Sequence, residues 1–192
     1  MIEITIDPKT VIERCLITAF SLDEYLDLIN EVHQPGFVAI PTFQKKYNRF
    51  YRVRQKSARW YKAYYQLLEE QIRFPRSFEE LLRTMYPISN TIEVSFISKM
   101  IATVSPEMPI WDQYILQNLG LKNDWERKRS ATVDERIRYA ANIYSEIQAW
   151  YDSFVCSEKG IECIKKFDEA LPSFKNDLTA TKKIDYILWS FR

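Results

Sequence analysis

The sequence predicts an all-α fold of about eight to ten helices, and three observations carry that prediction. Glycine is scarce, at 3 of 192 residues, while charged residues reach 28%, a composition suited to helices joined by short loops. Four segments place a Ser, Thr or Asn three residues before a Glu, the signature of an N-terminal capping box: Ser21…Glu24, Ser77…Glu80, Asn90…Glu93 and Thr132…Glu135. Each is followed by apolar residues at helical spacing, such as Phe96, Met100 and Val104 beside Ile97 and Ile101.

Along the chain, MIEITID alternates Ile2, Ile4 and Ile6 with polar residues and reads as extended. One strand has no sheet to join, so a short N-terminal extended arm is expected. Besides the helices behind the capping boxes, others are expected near 9–19, 43–54, 57–72, 161–170 and 182–191. The last carries Ile184, Ile187, Leu188 and Phe191 on one stripe. Pro41, Pro75, Pro87, Pro109 and Pro172 are expected between helices, because proline interrupts the backbone ladder. The length fits a single globular domain over 1–192, divisible into two lobes, 1–75 plus 125–192 and 76–124.

Several function classes are excluded. The apolar runs are too short to span a bilayer, and the N-terminus lacks a signal peptide's basic start and apolar core, so a cytoplasmic protein without membrane contact is expected. Cys15, Cys156 and Cys163 are odd in number and follow no paired zinc spacing, which predicts reduced, mostly buried thiols. The single histidine, His33, rules out a two-histidine zinc site and sits in NEVHQPG at a probable helix end, where capping or exposure accounts for it. No metal and no cofactor are expected, and with no glycine-rich phosphate loop, nucleotide hydrolysis by a P-loop mechanism is not expected either.

Charge is distributed unevenly beneath a net value of +1. Between Val32 and Leu68 there is no Asp or Glu, while Lys45, Lys46, Arg49, Arg52, Arg54, Lys56, Arg59 and Lys62 supply eight positive charges. The preceding 31 residues carry seven acidic and two basic side chains. Such a local excess attracts a polyanion, so the segment from Lys45 to Arg59 is a candidate nucleic-acid interface. Phe43, Tyr47, Phe50, Tyr51, Trp60, Tyr61, Tyr64 and Tyr65 are interleaved with it in a mainly core pattern, and Phe43, Tyr47, Phe50 and Arg54 are expected on one helical face. The acidic stretch Asp23–Glu31 would suit a basic partner.

Residues 106–121, PEMPIWDQYILQNLGL, place Asp112 after an apolar approach and before an apolar helix. Asp112 suits an N-cap, Trp111 and Leu116 suit a hydrophobic staple, and Gly120 suits the closing position. Together with the preceding helix and loop, ISKMIATVSPEMPIWDQYILQNLGL resembles the catalytic segment of the helix-hairpin-helix DNA glycosylase superfamily, in which the stretch runs apolar-x-Asp-x-x-Ile/Val and then to a Leu-Gly-Leu-like end. The resemblance covers residues 86–121. It implies an all-α fold with a cleft between two lobes, DNA rather than RNA as partner, and a role in DNA repair. Carried onto Asp112, it implies a carboxylate that stabilises an oxocarbenium-like sugar or activates water when a base is flipped out. Tyr86-Pro87-Ile88-Ser89-Asn90 stands where the family has a Gly-apolar-Gly hairpin, and the position matching its Schiff-base lysine falls near Ser95, with Lys99 a turn later. The resemblance therefore implies a monofunctional or inactive relative. The alternative is a non-catalytic helical binding or scaffold protein, of the kind found in mobile-element or defence systems, in which Asp112 is only a cap.

Overall fold

A computed structural model describes residues 20–122, 125 and 131–190. Among these there are nine α-helices and no strand. In chain order they are α1 (Phe20–Val32), α2 (Pro41–Phe50), α3 (Ala58–Arg73), α4 (Phe78–Ser89), α5 (Val94–Val104), α6 (Gln113–Asn118), α7 (Val133–Val155), α8 (Glu158–Ala170) and α9 (Ala180–Ser190). The arm at 1–7, the helix near 9–19, Cys15 and Phe191 lie outside the described residues. No described helix is long and apolar enough to cross a membrane.

Two of the four capping boxes form. Ser77 accepts from the Glu80 amide at 3.3 Å while Glu80 accepts from the Ser77 amide at 2.8 Å, and Thr132 and Glu135 repeat the same exchange with the same distances. The other two do not. Ser21 lies inside α1 rather than ahead of it. Asn90, in the left-handed conformation at φ 53°, ends α4, and Glu93 itself precedes α5 with its carboxylate turned across to α3. There it accepts from Lys56 at 2.7 Å, from the Trp60 indole at 3.1 Å and from Thr91 at 2.8 Å, so the requirement to satisfy a buried carboxylate outweighs the cap.

Three further expectations are corrected. Pro87 lies inside α4, in its last turn, where its missing amide costs a single ladder bond. Helix α2 stops at Phe50, so Arg54 sits in the loop and shares no helical face with Phe43 and Tyr47. The physical reason is a Schellman closure at Arg52, which adopts φ 53° while the Val53 amide bonds the Asn48 carbonyl at 2.9 Å. Of the cysteines, Cys163 is buried but Cys156 is exposed. His33 lies exposed just past the end of α1, as expected.

Buried apolar side chains from all nine helices belong to one cluster. Helix α9 is its centre: every residue from Thr181 to Leu188 is buried, the pattern of a helix surrounded on all sides rather than one with a single apolar stripe. Helix α4 packs on α3, α5 and α7, and α5 in turn meets α1. Most of the aromatic residues expected in the core are there, while Phe50 and Tyr61 are only partly buried against it. Phe43, Tyr47, Trp60, Tyr64 and Tyr65 are buried, Trp60 stacks on Tyr64 at 4.6 Å, and the Tyr47 and Tyr64 hydroxyls bond at 2.7 Å.

Candidate functional site

Asp112 caps α6: its Oδ1 accepts from the Tyr114 amide at 2.8 Å. At the other end Gly120, at φ 70°, closes the helix with bonds from Gly120 to Gln117 and from Leu121 to Leu116, the paired pattern of a Schellman motif. Trp111 and Leu116 are both buried, as a staple requires.

The approach to Asp112 is fastened from three helices. Ser98 on α5 accepts from the Trp111 amide at 2.8 Å. Tyr144 on α7 donates to the Pro109 carbonyl at 2.9 Å, and Thr179, just before α9, donates to the Pro106 carbonyl at 2.8 Å. The Trp111 ring lies parallel to Phe78 of α4 at 6.1 Å. A loop without regular structure is thus held in place, and the carboxylate at its end has a fixed position.

That position is the wall of a cleft of about 440 Å³. Helix α1 contributes Glu24 and Tyr25, α2 contributes Arg49 and Phe50, the following turn contributes Tyr51 and Arg52, α5 contributes Phe96 and Lys99, and α9 contributes Lys182, Asp185 and Trp189. Four cationic and three acidic side chains, Asp112 among them, therefore line one space among aromatic rings.

Three charged groups inside the cleft, Lys99, Lys182 and Asp185, are held away from their ordinary states. Burial lowers the Lys99 ammonium, opposed by the charge of Asp112 and reinforced by those of Arg52 and Lys182. Lys99 Nζ reaches the Tyr51 carbonyl at 3.4 Å and lies 5.3 Å from the Phe96 ring centre. Burial likewise lowers Lys182 and pushes the Asp185 carboxyl up to about 6, each partly offset by the other. Tyr151 donates to Asp185 Oδ1 at 2.5 Å, and the Ile110 amide also favours the carboxylate without making a hydrogen bond to Oδ2.

Only part of the basic segment belongs to this site. Arg49 and Arg52 line the cleft; Lys45, Lys46, Arg54, Lys56 and Arg59 do not. Three of the seven cations have carboxylate partners that the local sequence does not show. Lys46 pairs with Glu31 and, at 4.0 Å, with Asp27; Arg49 pairs with Glu24 at 2.8 Å; Lys56 pairs with Glu93 at 2.7 Å. The acidic face of α1 is thus turned to the basic face of α2 in the same chain. Lys45, Arg52, Arg54 and Arg59 are exposed and form no ion pair among the described residues.

Lys182, Asp185 and Tyr25 were not legible as site residues, because a helix reading K-K-I-D looks like a solvated face. The available signal was position: Asp185 precedes Leu188 by three residues and so lies on that helix's apolar side. Compared with protein-family models, with curated proteins and with solved structures, the chain finds no match in any of the three.

Proposed function

We propose that this protein is a DNA-glycosylase-like nucleic-acid-binding protein that receives a base swung out of a DNA strand and hydrolyses its N-glycosidic bond. The observation that carries the reading is the meeting of Asp112 with Arg49 and Arg52 in one aromatic-walled cleft of about 440 Å³. That volume lies in the range of small-ligand sites and suits a nucleobase with its sugar. Phe50, Phe96 and Trp189 offer rings for the base, and Arg52, exposed and without an ion pair among the described residues, offers a cation for a flanking phosphate. A carboxylate beside the anomeric carbon either stabilises positive charge on the sugar or takes a proton from attacking water, and both roles need the fixed placement that the fastened loop gives Asp112. Lys99 is given no Schiff-base role.

The test is base release from a panel of lesion-containing duplexes by wild type and Asp112→Asn. Asparagine keeps the cap, so the variant should melt with wild type while release falls by at least about 100-fold, the scale of a lost general base. If neither protein releases a base from any duplex, the catalytic reading is wrong.

A second reading, a non-catalytic helical binding or scaffold protein, is favoured by the hydrogen bond from the Tyr114 amide to Asp112 at 2.8 Å. On that reading Asp112→Ala costs about 1 kcal/mol of stability, and Asp112→Asn has no consequence in any assay.

A further inference from the structure

Central helix α9 buries three charged side chains, and they are not equally satisfied. Lys183 pairs with Asp168 at 2.6 Å and donates to the Lys175 carbonyl at 2.7 Å. The ammonium of Lys182, 7% exposed, makes no hydrogen bond among the described residues; its Nζ stands 4.4 Å from the Tyr25 ring centre and forms a long ion pair with Asp185 Oδ2 at 3.8 Å. Asp185, 4% exposed, spends Oδ1 on Tyr151 and leaves Oδ2 without a partner, and the hydroxyl of Tyr25, 2% exposed, is also unpartnered. All three line the cleft that holds Asp112. Buried polar atoms are satisfied almost everywhere in folded proteins, so two exceptions facing one cavity, the Tyr25 hydroxyl and Asp185 Oδ2, beside an ammonium held only by a long ion pair, point to an occupant that supplies the missing bonds.

The chemistry of that occupant follows from the pair. An ammonium only donates and a carboxylate only accepts. At 3.8 Å they are too far apart to satisfy each other and close enough to meet two adjacent atoms on one ring. The complement is a hydrogen-bond acceptor directly beside an N–H, the edge of a cyclic amide or amidine, which nucleobases present and hydrocarbon rings do not. We propose that Lys182 and Asp185 read this edge, so that the cleft takes a base whose ring edge is unblocked and rejects one methylated there. The inference rests on the nucleic-acid reading of the same cleft and adds what that reading leaves open, the class of base. Rejection by such a site is strong, because the blocked base leaves buried charges unpaired.

The test uses matched nucleosides with the full chain, followed by saturation-transfer NMR and by tryptophan fluorescence: uridine against 3-methyluridine, and guanosine against 1-methylguanosine. In each pair the unmethylated nucleoside should bind at least tenfold more tightly. Lys182→Met and Asp185→Asn, shown folded by thermal melts, should bring the ratio to within about twofold. Equal binding within each wild-type pair, or no binding of any nucleoside, overturns the inference, and neither outcome depends on a variant folding. A parallel measurement of duplex binding separates the two readings. Duplex binding and base release without nucleoside discrimination would remove the edge-reading pair alone. Discrimination among nucleosides without duplex binding would support the pair and remove the nucleic-acid strand as its source.

Discussion

Arg52 occupies a backbone position that disfavours it. It is the C′ residue of α2, at φ 53°, where helices usually place glycine because a Cβ costs about 1–2 kcal/mol in the left-handed region. A residue kept there against that cost, exposed in the wall of the cleft, is the kind of local strain found at binding sites. Arg52→Gly should therefore hold or raise the unfolding free energy by up to about 1 kcal/mol while weakening nucleic-acid binding, and denaturant melts with titrations at fixed salt measure both. A fall in stability would show that the Arg52 side chain supports the fold instead. Asp185 makes a second prediction at this scale. Its folded carboxyl, raised to about 6, binds a proton more tightly than in the unfolded chain, so its contribution is fully present below pH about 4 and is lost as pH rises through about 6. Glu80 and Asp134, held low by Ser77 and Arg83 respectively, act in the opposite direction. Subtracting the Asp185→Asn stability curve isolates the first effect. The difference should decline between pH 4 and 6, and a flat difference would show that Asp185 does not titrate there.

The helices themselves were largely readable, and the reasons for success and failure are local. Ser77 and Thr132 have a Glu at the third helical position whose carboxylate returns to the cap amide, so both boxes form. Ser57 and Ser157 also cap, accepting from the Trp60 and Gly160 amides at 3.2 and 3.0 Å, but lack the Glu that would have announced them. Glu93 shows the converse, a correct motif overridden by a lysine and a tryptophan more than thirty residues away. The entrance at Asp112 was legible because cap, staple and closing glycine all lie within ten residues. Its cleft was not, since part of its lining comes from α9, seventy residues on. Gly160 makes the element-scale prediction. A Cβ there would stand 1.8 Å from the Phe154 carbonyl oxygen, backbone that cannot rotate aside, so the first turn of α8 must pass against the end of α7 without a side chain. Gly160→Ala should cost on the order of 1–3 kcal/mol or more, although alanine is the better helix former. A stability gain in urea melts would mean that the α7–α8 corner opens easily.

Across the whole molecule, the basic segment divides into cations used by the fold and cations left for a partner. Lys56 belongs to the first group: Glu93 is buried, and its carboxylate would lose its one ion pair if Lys56 turned to a phosphate. Lys46 and Arg49 hold exposed or half-exposed pairs with α1, which solvent and salt screen, so a phosphate can compete for them. Lys45, Arg52, Arg54 and Arg59 have no pair to give up among the described residues. Counterion release turns this division into a measurement, because each phosphate neutralised contributes about −0.9 to the slope of log affinity against log salt. Arg54→Gln and Arg59→Gln should each flatten the slope by about 1 and leave the melting temperature unchanged. Lys56→Gln should do the reverse, keeping the slope while costing about 2–3 kcal/mol, since it strands a buried carboxylate that retains two neutral donors. If Lys56→Gln flattened the slope as much as Arg54→Gln, the Glu93 pair would have to open on binding. A wild-type slope near zero would remove the nucleic-acid interface altogether, because cations that release no counterions are not touching phosphates.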